Sequence, residues 1–349
     1  MKVYRNLFNK IIDPETLFLA WKEFRDGKSK KPDVLLFEQE LEQNIFKLAR
    51  ELKNKTYKHD KYSDFYISDP KRRHIHKATV RDRVLHHAVV MNLNNIFEPT
   101  FIANSFSCRV GKGSHKGVNT LRSMIRKESK NDTKQCYILK CDVQKFFDSI
   151  DHGILLSFLR RKIKDPDTMW LIENVVESYT SEKSDLFHRR GVPIGNLTSQ
   201  LFANVYMNEF DQFMKNKLRI KHYSRYTDDF VVVSSDKLYL ENLIKKISNF
   251  LDGNLGLNLH PHKVEILSYS EGIDFLGYVV FPHHTIIRKR TKTRIIWKFR
   301  DRIKLYRTGI IEKKSVEASL NSYLGVLSHA NAYNFSINLK NYFWFMIDE

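Results

Sequence analysis

The sequence predicts an α+β fold: an antiparallel sheet with helices packed against it and a basic helical region toward the C-terminal end. Three observations lead there. Tyr137-Ile138-Leu139-Lys140-Cys141-Asp142 is an apolar run of strand length ending in a carboxylate, and Asp228-Asp229 lie between two β-rich runs, as the turn of a hairpin does. Apolar residues recur at helical spacing elsewhere, as in Leu36, Phe37, Leu41, Ile45, Leu48 and Leu52. From Arg288 to Arg307, ten Lys and Arg residues are interleaved with Ile295, Ile296, Trp297, Phe299 and Tyr306, giving a helix with one cationic and one apolar face.

In chain order, residues 14 to 25 and 33 to 53 read as two helices that cover the core and carry no chemistry. Tyr62 to Ser68 and Arg73 to Lys77 read as a hairpin turned by Asp69-Pro70-Lys71-Arg72, a cationic tip able to grip phosphates through guanidinium forks. A helix follows over 80 to 97. The loop Ser105 to His115 then carries Arg109 and Lys112 beside Gly111 and Gly113, whose freedom lets backbone amides approach a phosphate. Ser114 is the expected N-cap of a helix running to about Ser129. After the strand at 137 to 142, Asp148 and Asp151 belong to a turn and to the start of a helix over 152 to 162, where negative charge suits the helix dipole. Further helices are expected over 167 to 179, from about Thr198 to Lys217 and over 237 to 251. The chain closes with the strand turn Phe275-Leu276-Gly277-Tyr278, the cationic helix, and helices over 315 to 327 and 335 to 346.

The chemistry lies in the carboxylates. An Asp pair alone is most simply a hairpin turn. A third carboxylate at the end of a neighbouring strand makes an oxygen-rich cluster of the kind hard Mg²⁺ ions prefer. Three such groups can hold two ions about 3.5–4 Å apart, an arrangement that activates an attacking hydroxyl and neutralises a leaving pyrophosphate. Nucleotidyl transfer is the reaction that fits.

Composition points the same way. The 349 residues include 59 Lys and Arg against 40 Asp and Glu, a formal charge of +19 spread along the chain, which suits a nucleic-acid partner. With 42% hydrophobic and 13% aromatic residues the chain has material for a sizeable core. Cys108, Cys136 and Cys141 show no Cys-x-x-Cys spacing, and their odd number argues against a disulfide framework, which fits a reducing cytoplasm. No signal-like N-terminus and no spanning apolar run is present, so no membrane partner is expected.

Tyr226-Thr227-Asp228-Asp229 matches the Tyr-X-Asp-Asp signature of reverse transcriptases, and Asp142 with Phe147 five residues later resembles their first palm motif. Gly191-Val192-Pro193-Ile194-Gly195-Asn196-Leu197-Thr198-Ser199-Gln200 looks like the motif between the palm carboxylates. Where most of the family has Gln-Gly followed by Ser-Pro, this chain has Ile-Gly followed by Ser-Gln, a variant that resembles the reverse transcriptases of diversity-generating retroelements. The resemblance runs from about residue 62 to the C-terminus, with its motifs in the family's order.

The resemblance implies a right-hand polymerase: an N-terminal helical extension over 1–61, fingers over 62–136, an antiparallel palm over 137–283 with a fingers insertion at about 152–190, and a helical thumb over 284–349. It implies RNA-directed DNA synthesis from deoxynucleoside triphosphates on two Mg²⁺ ions, with Mn²⁺ a possible substitute. Asp142 and Asp228 would bridge the ions, the Val143 carbonyl assisting and Asp229 adjacent. Lys263, in Leu257 to Glu265, matches the lysine that meets the phosphates or protonates the pyrophosphate. Arg73, and less directly Lys71, match the triphosphate grip; Phe147 matches the steric gate against a 2′-hydroxyl. Ile194 and Gly195 fall beside the nucleotide, and Asn196, Ser199 and Gln200 beside the template or minor groove. Arg109 and Lys112 match the second motif, facing template and nucleotide, and Phe275-Leu276-Gly277-Tyr278 the primer grip. The subtype implies a structured template-repeat RNA, an RNA–cDNA duplex, errors at template adenines and a small basic accessory protein. Retron, phage-defence and group II-like enzymes are alternatives within the family. A non-catalytic RNA-binding protein with a polymerase fold is an alternative from another class, against which the three carboxylates, Phe147 and Arg73 argue.

Overall fold

Residues 2–69, 71–185 and 188–348 are described by a computed structural model of the chain. It is built on nine strands, β1 (Ser63–Ile67), β2 (Arg73–Lys77), β3 (Tyr137–Cys141), β4 (Tyr223–Tyr226), β5 (Asp229–Ser234), β6 (Glu265–Ser268), β7 (Ile273–Phe275), β8 (Tyr278–Val280) and β9 (Thr285–Ile287), among the described residues. They form a two-stranded hairpin β1-β2, a four-stranded sheet in the order β4-β5-β3-β6 and a three-stranded sheet β7-β8-β9, every pairing antiparallel. With helices on both sides of the four-stranded sheet, the expected α+β class is the one observed.

The four-stranded sheet lies between two apolar cores because its strands alternate with period two. Leu139 and Cys141 of β3 and Phe230 and Val232 of β5 enter one core. Ile138, Val231 and Val233 enter the other. The first core takes in the N-terminal helices and the helices Val80–Phe97, His152–Lys162, Pro166–Glu177, Leu197–Gln212 and Lys237–Leu255. The second takes in helix Ser114–Glu128, the β7-β8-β9 sheet and helices Lys289–Arg307, Lys313–Leu327 and Tyr333–Asp348. The β1-β2 tip reaches this last group, where Asp69 forms ion pairs with Lys298 and, at 4.0 Å, with Arg294.

The structure departs from sequence expectation in several places. The helix expected over 33–53 is two, Pro32–Gln39 and Leu41–Lys53, broken at Glu40, whose φ of −120° leaves the helical region. Ile45, Leu48 and Leu52 are buried while Leu36 is 70% exposed, so the stripe read through both halves does not lie on one face. Gly113, at φ 107°, and not Ser114, precedes helix Ser114–Glu128, and no side chain caps it. The cationic helix buries Ile295, Phe299 and Ile303, but Trp297, expected in the apolar face, is 63% exposed. The expected hairpin 62–77 is observed; Pro70 of its turn lies outside the described residues. Among the described residues no helix is long and apolar enough to cross a membrane.

Leu139 is fully buried at the centre of the sheet. Leu139→Ala should cost about 2–5 kcal/mol through lost burial and the cavity left behind, read as a lower midpoint in equilibrium denaturation; an unchanged midpoint would mean that the sheet is not a packed layer.

Candidate active site

Three carboxylates meet at one end of the four-stranded sheet. β3 and β5 pair with Cys141 opposite Phe230, so the next residues along, Asp142 and Asp229, fall side by side. β4 and β5 pair with Tyr226 opposite Asp229, leaving Thr227 and Asp228 as a two-residue turn, with Thr227 left-handed at φ 57°. Behind Asp142 the chain is held by a second backbone layer: its carbonyl accepts from His260 N at 2.8 Å, and Gln144 N donates to Asn258 O at 2.8 Å. Val143 is buried and bridges antiparallel to Leu259.

The carboxylates are half-buried, not fully exposed as a surface turn would leave them. Burial and then the charge of Asp142 raise the pKa of Asp228, while Lys263 and Arg73 work the other way. Burial, the charges of Asp228 and Asp142, and a hydrogen bond with the Asp142 carboxyl push Asp229 up to about 7. Lys263 Nζ lies 2.8 Å from Asp142 Oδ2. Like charge is therefore crowded and only partly offset by the Lys263 ammonium, an excess a divalent cation would relieve. Among the described residues no three Asp, Glu, His or Cys side chains converge closely enough to hold a metal ion as they stand. The donor set, three carboxylates from adjoining strands, has the hard-oxygen chemistry that Mg²⁺ takes.

The acidic turn rests on a buried ion pair that the sequence did not disclose. Arg225 and Asp211 are each 0% exposed. Arg225 donates from Nε to Asp211 Oδ1 at 2.8 Å and from Nη2 to Asp211 Oδ2 at 2.6 Å and Ser105 Oγ at 3.1 Å, and from Nη1 to the Thr227 carbonyl at 2.9 Å. Tyr223 donates its hydroxyl to Asp211 Oδ1 at 2.7 Å. Thr227 Oγ1 lies 2.5 Å from Ser107 Oγ.

A cavity of about 440 Å³ is lined by Arg72, Arg73, Lys145 and Lys183 together with Asp148, Glu182 and Ile194, and its Arg73 is near enough to Asp228 to act on that carboxylate. Arg73 is exposed, as are Lys71 and Arg72. Lys183 Nζ donates to Ser149 Oγ at 2.6 Å; Lys183 lies outside the motifs read in the sequence, whereas Lys145 falls between Asp142 and Phe147 of the first of them. Phe147 is half-buried, its ring edge-on to Phe146 at 5.4 Å.

The other residues read from the sequence divide into some that stay accessible and some that the structure turns inward, against expectation. Ile194 is half-buried and its carbonyl accepts from His76 N at 3.2 Å. Gly195 is exposed at φ 113°, a conformation that favours glycine whatever surrounds it, and a side chain there would also press on Ile75 Cγ2, 3.0 Å from an ideal Cβ. Asn196 and Ser199 are each 2% exposed and cannot face a template; Asn196 Nδ2 instead donates to the His76 carbonyl at 3.1 Å, joining this loop to β2. Gln200 is exposed. Arg109 does not reach outward: its side chain is 6% exposed, forked onto Glu98 and donating to the Ile102 and Ser105 carbonyls at 2.7 and 2.8 Å. Lys112 Nζ is turned back onto the Ala103 carbonyl at 2.7 Å. Phe275 and Tyr278 are core residues, Tyr278 donating to the Val326 carbonyl at 3.0 Å. Leu276 and Gly277, both at positive φ, form the tight β7-β8 turn.

Residues 58–280 match the family model described as reverse transcriptase (RNA-dependent DNA polymerase). Protein YkfC of Escherichia coli (strain K12) is 27% identical over 259 residues, covering 64% of this chain and 66% of that protein. Group II intron-encoded protein LtrA of Lactococcus lactis subsp. cremoris is 26% identical over 258 residues, covering 72% of this chain and 41% of that protein. The chain thus spans less than two thirds of the length of these relatives. The structure of telomerase from Candida albicans in complex with a fragment of telomeric RNA aligns with a TM-score of 0.49 at 11% identity, over 90% of this chain and 66% of that one. With residues 58–280 making up well over half of the 349 and including the acidic turn, the chain belongs to the reverse transcriptase family.

Proposed function

We propose that the chain is an RNA-directed DNA polymerase that copies a structured template-repeat RNA into cDNA. One observation carries the polymerase reading: three carboxylates from adjoining strands meet at one end of the sheet, within electrostatic reach of Lys263 and Arg73. In this reading β1-β2 and helix Val80–Phe97 belong to the fingers, the four-stranded sheet is the palm and the three C-terminal helices are the thumb.

Asp142, Asp228 and Asp229, with the Val143 carbonyl, would hold two divalent ions, Mg²⁺ or Mn²⁺. When bound, the ions supply charge neutralisation at the attacking and leaving oxygens. The chain's own groups do the rest. Arg73 offers a planar fork to the triphosphate, with Lys71 beside it on the exposed tip. Phe147 presents its ring where a 2′-hydroxyl would have to fit. Lys263, at hydrogen-bond distance from Asp142, holds a proton for the pyrophosphate. The cationic face of helix Lys289–Arg307 follows duplex phosphates, a salt-dependent contact without sequence preference. Specificity therefore comes from RNA structure and a small basic accessory protein.

The diversity-generating subtype rests on Ile194 and Gln200, where most of the family has Gln and Pro. A group II intron type is the second reading, supported by the name of the Lactococcus relative. Error spectra separate the two, since only the first concentrates errors at template adenines.

Three outcomes test these assignments. Asp228→Asn should abolish incorporation of deoxynucleotides on a primed RNA while changing RNA affinity less than about twofold, one charge counting little against the whole basic surface. Wild-type incorporation by this variant would remove the catalytic reading. Lys263→Met frees the Asp142 carboxylate, so Mn²⁺ affinity titrated without nucleotide should rise about two- to tenfold; equal or weaker binding would show that the ammonium does not compete for that site. Ile194→Gln restores a side chain with hydrogen-bonding capacity beside the nucleotide cavity. If it penalises mispositioned pairs by about 0.5–1.5 kcal/mol, misincorporation opposite template adenine falls a few-fold to tenfold. Sequenced cDNA from both enzymes is the measurement, and an unchanged adenine error rate in an active variant would sink the idea.

A further inference from the structure

We infer that Arg225 is a positioning residue for the acidic turn, acting with Asp211 through the backbone of Thr227; this rests on the polymerase reading above. Thr227 is β-branched and sits at φ 57°, a conformation such a residue adopts only when its surroundings impose it. Two contacts impose it. The Thr227 carbonyl accepts from Arg225 Nη1 at 2.9 Å, and its hydroxyl meets Ser107 Oγ at 2.5 Å.

Arg225 is itself unable to move. The Asp211 carboxylate takes the Nε–Nη2 edge of its guanidinium in a two-bond fork, and Tyr223 locks that carboxylate from a third side. Its main chain is tied on both sides to the neighbouring segment, Arg225 N donating to Asn104 O and Phe106 N to Arg225 O, each at 3.0 Å. The guanidinium thus joins three pieces of chain: helix Leu197–Gln212 through Asp211, the 104–107 segment through Ser105, and the turn through Thr227. Asp228 is the next residue after that carbonyl, so where the guanidinium holds Thr227 decides where the Asp228 carboxylate points.

Stability alone does not call for this arrangement. A buried ion pair can be replaced by apolar side chains of similar volume with little loss of stability. The bond that packing would not require is the one to the Thr227 carbonyl. A lysine keeps the charge but has no planar fork with which to grip Asp211 and Thr227 together.

The test compares wild type, Arg225→Lys and the double variant Arg225→Met with Asp211→Leu in deoxynucleotide incorporation on a primed RNA, with melting temperature and RNA affinity measured alongside. At least one variant is expected to fold with near-native melting temperature. It should keep RNA affinity and KM for the nucleotide within about twofold and lose kcat by on the order of ten- to hundredfold, as misplacement of a reacting group does. A folded variant with wild-type kcat overturns the inference. So does loss of stability with kcat and KM moving together, or failure of both variants to fold, each of which makes the pair purely structural. A wild-type chain that incorporates nothing, or an Asp228→Asn variant as active as wild type, would instead remove the polymerase reading.

Discussion

Everything at the acidic centre depends on the antiparallel register of β3 and β5. Because Cys141 faces Phe230, the carboxylate that ends one strand arrives beside the carboxylate that begins the other. A slip of one residue would turn Phe230 and Val232 out of the first core and Val231 and Val233 out of the second, so the apolar alternation on both faces fixes the register that crowds the charges. Packing buries these carboxylates and crowds them together, and burial first, then their mutual repulsion, raises the pKa values of Asp228 and Asp229.

Such crowding needs stiff support. Removing one partner of a buried ion pair typically costs about 3–5 kcal/mol, since the other charge is left uncompensated; Arg225 and Asp211, fully buried directly behind the turn, are in that situation. On the other side, the bonds from His260 to Asp142 and between Gln144 and Asn258 clamp the end of β3. The acidic end is thus fixed by backbone at one carboxylate and by a guanidinium at the other.

The excess of positive charge divides into two populations. Arg109, Arg225 and Arg81 are turned inward onto Glu98, Asp211 and Glu51 and tie neighbouring segments of the fold together. Lys71, Arg72 and Arg73 at the hairpin and much of helix Lys289–Arg307 remain toward solvent, and the Asp69 ion pairs with Lys298 and Arg294 show the two exposed groups facing each other. Net charge is therefore an argument about partners, while each arginine's role depends on what carboxylate the fold brings to it.

The acidic turn, the strand before it, the β1-β2 hairpin and most helix spans were legible in the sequence because each is written locally, in alternation, in helical spacing or in a motif of a few adjacent residues. Burial was not. Asn196, Ser199, Phe275 and Tyr278 look like polar or aromatic contacts in a motif, and only packing against β2, the sheet and the C-terminal helices makes them interior. The same holds for Arg225 and Asp211, 14 residues apart, and for Arg109 and Glu98, 11 apart. Charge pairing across turns and between elements leaves no periodic trace, because it depends on where two elements cross in space. Sequence alone determined which groups could do chemistry; the tertiary structure decided which of them are buried against a partner and which stand toward solvent, since desolvation and partner geometry exist only once the chain is packed.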